Sequence, residues 1–335
     1  MIININTMKL KISIKGVLKM KINRMIIKRI IPSFVALSVM VGVSGCSKED
    51  IKTENDSTLN IVATTTMLHD VAGIIGGDNV ETIGLMGPGI DPHLYEASAG
   101  DVTKMQEADI VLYNGIHLEG KMGEIFEDLG KQDKDIICIE EGINKDKILA
   151  DPATPGSLDP HIWFDVTIWM DAAKHVSKEL TEIDPENADE YKANLDSYLV
   201  ELEELDSYIS KRVSELNDEQ RVLVTAHDAF GYFGEAYGFE VKGLQGITTD
   251  AEAGTADVSE LATYIANNKI KAVFVESSVP PKNIEALQDA VKAKGFNVEI
   301  GGELYSDSLG DESTGHDTYI TTFKANIDTI VDALK

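Results

Sequence analysis

Two stretches of this chain, "IDPHLY" at residues 90–95 and "LDPHIW" at residues 158–163, place His93 and His161 in the same local context. Pro92 and Pro160 fix their own φ and bias Asp91 and Asp159 toward extended backbone, so each imidazole leaves a stiff loop with little freedom to lose on binding. Either histidine alone reads equally well as a turn residue making an ordinary hydrogen bond. The repeated context favours a pair of imidazoles held for a common partner. His227, in "VLVTAHDAF", stands where a buried strand gives way to a helix, the carboxyl edge at which open parallel sheets bind ligands. Its plain alternative is a helix N-terminal residue with no ligand. Asp307, in "GELYSDSLG", lies in a Gly- and Ser-rich loop just after the strand "NVEI". There a turn aspartate satisfying nearby backbone N–H groups is the ordinary reading.

Three imidazoles and one carboxylate, with no thiolate, suit zinc, manganese, iron or nickel rather than copper(I) or calcium. Four protein ligands close a tetrahedral shell, whereas a catalytic zinc keeps a position open for water. The set therefore argues for binding over hydrolysis, with a zinc-dependent hydrolase on the same quartet as the alternative. Asp91, Asp159 and Glu276 are candidates to orient the imidazoles by accepting their second ring N–H. Asp91 and Asp159 read equally as turn formers, and Glu276 as a helix N-terminal acid.

The elements that must position these residues alternate between strand and helix from residue 59 onward. "LNIVATTT", "NVETIGLM", "IVLYN" and "DIICIE" read as strands, separated by the helical "MLHDVAGIIGGD", "SAGDVTKMQEAD" with Ser98 as N-cap, and "KMGEIFEDLG". The alternation resumes with "RVLVTA", "FEVKGL", "KAVFVES" and "NVEI", interleaved with helices and closed by "YITTFKANIDTIVDALK". Apolar strands alternating with helices imply parallel sheets covered on both faces. Between the two runs, Tyr191, Leu195, Tyr198, Leu202, Leu205, Ile209, Val213 and Leu216 step by three or four. That is one helical stripe, roughly 50 Å long at 1.5 Å per residue if it runs from Pro185 to Asn217. The reading is an α/β protein of two lobes, 59–180 and 221–335, bridged by a linking helix over 181–220.

The first 46 residues carry eight lysines and arginines and no acid, and end in "IIPSFVALSVMVGVSGC". A basic segment followed by a short apolar run and small residues reads as an export signal. Pro32, Ser33, Ser38 and Gly42 interrupt the run, against an uncleaved span of about 20 apolar residues. "VSGC" resembles the lipobox of bacterial lipoproteins, which makes Cys46 the lipid-bearing first residue of the mature chain. A start at Met20 or Met25 would leave a sufficient signal. Residues 47–58, "SKEDIKTENDST", have the composition of a disordered tether. Beyond the leader, 57 acids face 22 bases, which disfavours nucleic acid and anionic lipid and suits a cation. With Cys46 lipidated, Cys138 is the remaining thiol, so no internal disulfide can form and its role is packing.

The segments "GLMGPGIDPHLYEASAGDV", "ADIVLYNGIHLEGKMGE", "DPHIWFDV", "RVLVTAHDAFGYFGEAYGFEVKGLQG", "VFVESSVPPKNIEAL" and "GGELYSDSLG" together resemble the cluster A-I metal-binding lipoproteins of zinc and manganese ABC importers, the TroA-like solute-binding proteins. The resemblance spans nearly all of residues 59–335. It implies two Rossmann-like lobes joined by one long rigid helix, with the metal in the cleft held by His93 and His161 from the first lobe and His227 and Asp307 from the second. It further implies Zn2+ or Mn2+, or Fe2+, as transported ligand, an ABC permease and its ATPase as partners, and no catalysis. The expected protein is a monomer, extracytoplasmic and anchored to the bacterial cell membrane through lipid on Cys46. Some members carry glutamate as third ligand; His227 aligns this chain with the three-His, one-Asp branch. The His-rich mobile loop of many zinc-dedicated members has no counterpart here. His69, His117, His175 and His316 fall outside the family's ligand positions. A surface adhesin, a label some relatives carry, is a further alternative.

Overall fold

The computed structural model describes residues 58–151 and 153–335. The expected leader, Cys46 and residues 47–57 of the expected tether lie outside the described residues. Strands β1 (Leu59–Ala63), β2 (Val80–Gly84), β3 (Ile110–Tyr113) and β4 (Asp135–Cys138) form one parallel sheet in the order β2-β1-β3-β4. Helices α1 (Thr66–Gly76), α2 (Ala99–Glu107) and α3 (Gly123–Gly130) make the crossovers. Ser98 caps α2 as expected: its side chain accepts the backbone N–H of Asp101, and the Asp101 carboxylate accepts that of Ser98.

In the second half, β5 (Val222–His227) pairs with β6 (Glu240–Gln245), and β7 (Ala272–Glu276) with β8 (Glu299–Leu304), all parallel. β5 packs beside β7 without ladder hydrogen bonds between them, so the strand order β6-β5-β7-β8 repeats that of the first sheet. Helices α6 (Gly231–Tyr237), α7 (Thr255–Asn268) and α8 (Lys282–Ala293) connect these strands, and α9 (Tyr319–Leu334) closes the chain.

β8 runs past the expected "NVEI" to Leu304, through Gly301 and Gly302. One extra residue on β8 bulges the ladder, since Val273 pairs with Ile300 but Val275 with Glu303. The glycine pair is what the packing needs. A Cβ on Gly301 would come within 2.7 Å of Ala333 Cβ and 2.8 Å of the Phe274 ring, and Gly302 has φ +143. After the bulge Leu304 sits opposite Glu276, and the Ser277 N–H donates to the Leu304 carbonyl at 2.9 Å. The loops carrying Glu276 and Asp307 thus leave the sheet side by side.

α4 (Val166–Ile183) and α5 (Ala188–Val213) join the halves. At 26 residues α5 spans about 39 Å, shorter than its apolar stripe suggested, and residues 181–183 belong to α4. Pro185 is the reason at one end: it disfavours helical backbone at Asp184 and opens a short 3-10 turn at Pro185–Asn187. At the other end Asn217 caps a separate turn, although Leu216 remains buried. Tyr191, Tyr198, Leu202, Leu205, Ile209 and Val213 face inward from α5, each stabilising the fold by about 1.5–3 kcal/mol through burial. Asn194 donates to the Ile75 carbonyl on α1 at 3.0 Å, whereas Tyr208 and Arg212 bind Asp328 on α9 at 2.8 and 2.7 Å. One apolar core therefore runs from Ile61 and Val71 through Tyr198 and Leu205 to Phe274 and Phe323, with Trp169 stacked on Tyr319 and Tyr319 on Phe323 along it. Among the described residues no helix is long and apolar enough to cross a membrane.

Candidate metal centre

Each of the four expected ligands issues from the carboxyl end of a strand. His93 lies in the β2–α2 connection, His161 between β4 and α4, His227 is the last residue of β5, and Asp307 follows β8 by three residues. The fold brings them together: one ligand atom from each lies within 4.8 Å of the others. All four are buried, with His161 and His227 at 0%, Asp307 at 1% and His93 at 3% exposure.

The second nitrogens decide what this cluster can bind. His161 Nδ1 lies 2.7 Å from Asp159 Oδ1, and His227 Nδ1 lies 2.5 Å from Glu276 Oε2. A carboxylate at Nδ1 places the proton there and leaves Nε2 with a bare lone pair. Those two Nε2 atoms nevertheless approach to 3.4 Å, and His93 Nε2 comes within 3.2 Å of His161 Nε2. Asp307 adds Oδ2 at 3.3 Å from His227 Nε2 and Oδ1 at 3.5 Å from His161 Nε2. In their neutral form the His161 and His227 rings thus turn their Nε2 lone pairs toward the Asp307 carboxylate, an arrangement that a cation placed among them would satisfy. A tetrahedral zinc with bonds of about 2.0–2.1 Å separates its ligand atoms by about 3.3–3.4 Å, which these distances match.

Asp307 is no ordinary turn residue. Its Oδ1 is buried without a hydrogen-bond partner, and its Oδ2 has the Ser278 hydroxyl and His227 Nε2 each at 3.3 Å. Burial works against its charge, but His227, with His161 and His93 behind it, holds the carboxyl well below the usual carboxylate range. Burial also opposes a proton on His227, yet Asp307 and Glu276 outweigh it and raise that imidazole well above its ordinary pKa. His93 goes the other way: burial depresses it to about 3, with only Asp307 opposing. The Asp307 and His227 shifts have one geometric cause, the approach of Asp307 Oδ2 to 3.3 Å from His227 Nε2.

The three candidate orienting acids divide. Asp159 and Glu276 each accept a ring N–H and also the backbone N–H of the same histidine, at 3.0 and 2.9 Å. Asp91 departs from the expectation. Its Oδ1 accepts the His93 backbone N–H at 2.9 Å, but its Oδ2 accepts the Thr249 hydroxyl at 2.5 Å, and no hydrogen bond joins it to the His93 ring. A donor from a distant loop has captured the oxygen that would have turned to the imidazole.

Glu119 escaped the sequence reading. It is buried and accepts the backbone N–H of Asn114 and Gly115 and the Thr64 hydroxyl, at 2.8, 3.3 and 2.6 Å, while burial pushes its pKa up. Asn114 in turn donates to the Pro160 carbonyl at 3.1 Å, so this buried acid supports the mount of His161. Of the remaining histidines, His69, His175 and His316 pair with Thr82, the Cys138 carbonyl and Tyr305. The Cys138 thiol is buried, and burial pushes it up to about 11.

The family model described as ZnuA, zinc-uptake complex component A periplasmic, matches residues 61–333. The chain belongs to this family. Among its relatives, the manganese-binding lipoprotein MntA of Bacillus subtilis is 45% identical over 294 residues, covering 88% of this chain and 95% of that protein. The zinc-binding protein TroA of Treponema pallidum is 45% identical over 310 residues, covering 92% and 99%. The solved structure of the periplasmic zinc-binding protein TroA from Treponema pallidum superposes with a TM-score of 0.80 at 47% identity, covering 83% of this chain and 99% of that one. A manganese-bound periplasmic metal-binding protein from Candidatus Liberibacter asiaticus gives a TM-score of 0.71 at 26% identity, with 83% and 100% covered. As a ZnuA-family member the chain is of the solute-binding kind rather than an enzyme, and the partners implied are an ABC permease and its ATPase.

Proposed function

We propose that this chain is the metal-capturing component of an ABC importer, holding one zinc or manganese ion with His93, His161, His227 and Asp307 and delivering it to the permease. The carrying observation is the convergence of three buried imidazoles and one buried carboxylate, one ligand atom from each within 4.8 Å of the others. Asp159 and Glu276 act as orienting acids for His161 and His227. The first lobe is taken as 59–180 and the second as 221–335, in a monomer. Residues 1–46 serve as an export signal, 47–58 as a tether, and Cys46 carries the lipid that keeps the protein outside the cell membrane.

The zinc and manganese names of TroA and MntA frame the choice of ion. A site of this donor type favours zinc intrinsically, by the usual affinity ranking, so manganese delivery would rest on metal availability. Against a hydrolase on the same quartet, the carboxylates hydrogen-bonded to the ligand imidazoles, Asp159 and Glu276, are both committed to ring N–H groups, so neither is free to serve as general base. Competitive titration of the chain from Ser47 onward with zinc and manganese, under chelator buffering, tests the reading. The expected result is one ion per chain and a loss of at least about 100-fold in His161→Ala. Unchanged affinity in that variant, or metal-dependent turnover of esters or phosphates, would overturn it.

A further inference from the structure

The two Asp-Pro-His mounts are alike in sequence and are used differently. At residues 159–161 a single carboxylate oxygen takes both the backbone N–H and the ring N–H of His161, so mount and ring are fixed within one half of the molecule. At residues 91–93 the carboxylate fixes only the backbone of His93, and its other oxygen reaches across 158 residues to Thr249 in the second half. The His93 ring makes one polar contact, that between its Nε2 and His161 Nε2. His161 and His227 each have a carboxylate on the ring; His93 has none, and it is the most exposed of the four ligands. The loop that carries it is also seated on the second half by the Gly89 N–H, which donates to the Ser308 hydroxyl at 2.8 Å beside Asp307.

We propose, building on the metal-capture reading above, that His93 is the exchanging ligand, and that Thr249 is a positioning residue whose hydroxyl clasps Asp91 and sets the rate at which metal leaves. With the clasp closed, the stiff Asp-Pro-His loop lies against the second half and His93 completes the shell. With it open, the loop lifts and takes His93 along, since Asp91 is bonded to the His93 backbone. The other three ligands stay in place, held by Asp159, Glu276 and the β8 loop. Thr249 acts on the metal only through Asp91 and His93.

The test is stopped-flow release of zinc from the full mature chain into excess chromogenic chelator. Thr249→Val removes the hydroxyl at nearly constant volume, and Thr249→Ser restores it. A hydrogen bond to a charged acceptor is lost, so the valine variant should release zinc about ten-fold faster or more, while the serine variant matches wild type. In the zinc-loaded valine variant the His93 ring 15N signals should broaden through exchange while those of His161 and His227 stay sharp. Thr249→Ala repeats both measurements if valine is not accommodated. Wild-type release rates in the valine or alanine variant that still binds zinc would overturn the clasp, as would a serine variant as fast as valine or uniform broadening of all three rings. A wild-type chain that takes up neither zinc nor manganese would instead overturn the capture reading, and this proposal with it.

Discussion

Replacing Glu276 by glutamine tests whether the carboxylate behind a ligand, rather than the ligand alone, makes the site. Glu276 is buried, with Oε2 at 2.5 Å from His227 Nδ1 and Oε1 accepting the His227 backbone N–H at 2.9 Å. Glutamine keeps the shape and can keep one of these bonds through its carbonyl oxygen. If the carbonyl keeps the backbone bond, the amide nitrogen faces the ring N–H, donor against donor; if it keeps the ring bond, the same clash falls on the backbone N–H that seats His227. In the first case either the ring bond breaks, or the imidazole moves its proton to Nε2 and stops being a ligand. Loss of a hydrogen bond to a charged group costs about 1.5–3 kcal/mol. At about 1.4 kcal/mol per factor of ten, that is a loss of roughly 10- to 100-fold in metal affinity, the range found when partners behind a metal ligand are removed. The assay is chelator-buffered titration with zinc at neutral pH, with thermal unfolding of the metal-free protein as the control for folding. A correctly folded Glu276→Gln chain that binds zinc as tightly as wild type would refute the assignment of Glu276 as the orienting acid of His227.

Three further outcomes are expected. Metal affinity should fall as pH drops from 7 to 5, because the raised His227 must lose its proton to bind, whereas His93, depressed to about 3, has none to lose there. The protons released per ion, from the slope of log affinity against pH, should therefore exceed zero and fall short of three; either limit would contradict the electrostatics. Small-angle scattering profiles of metal-free and metal-loaded protein should nearly superimpose, since one core spans both halves, and a large compaction on loading would show the halves to be independent. Asp70, whose carboxylate accepts the Tyr319 N–H at 2.9 Å, is raised by burial from 3.8 to about 6, so the folded state binds its proton more tightly than the unfolded state does. Its stabilising contribution is full below about pH 4 and is lost as pH rises through 6, a swing of ~2 kcal/mol after allowance for water reaching the partly buried group. Asp70→Asn should then raise the melting temperature at pH 8 and leave it unchanged near pH 4; equal shifts at both pH values would count against the burial argument.

What the sequence disclosed depended on how far apart the interacting residues are. Asp159 and His161 are two residues apart on a proline-stiffened loop, so their relation could be expected from local geometry. Asp91 has the same local sequence, yet its free oxygen went to Thr249, a partner with no local signal. The strands were legible from their apolar runs. Gly301-Gly302 reads as a turn that ends a strand, yet it is a bulge within β8 that only the neighbouring Phe274 and Ala333 explain. The stripe on the joining helix outruns the helix itself, because buried apolar positions continue to Leu216 after the helical hydrogen bonds stop at Ser214. Glu119 carries no signal in the sequence, because its partners, Thr64 and the backbone after β3, meet it only once the sheet has formed.

The apolar core that runs unbroken through α5 also limits how this protein can announce that it is carrying cargo. A receptor whose halves swing apart advertises loading by its silhouette, and any membrane partner can gauge the difference from a distance. With the halves sharing one interior, the silhouette carries little information. The announcement has to be local, and three of the exposed apolar side chains lie beside the ligands: Ile90 and Leu94 flank the first Asp-Pro-His mount, and Leu158 precedes the second. A partner reading those three side chains would be touching the loops that carry His93 and His161.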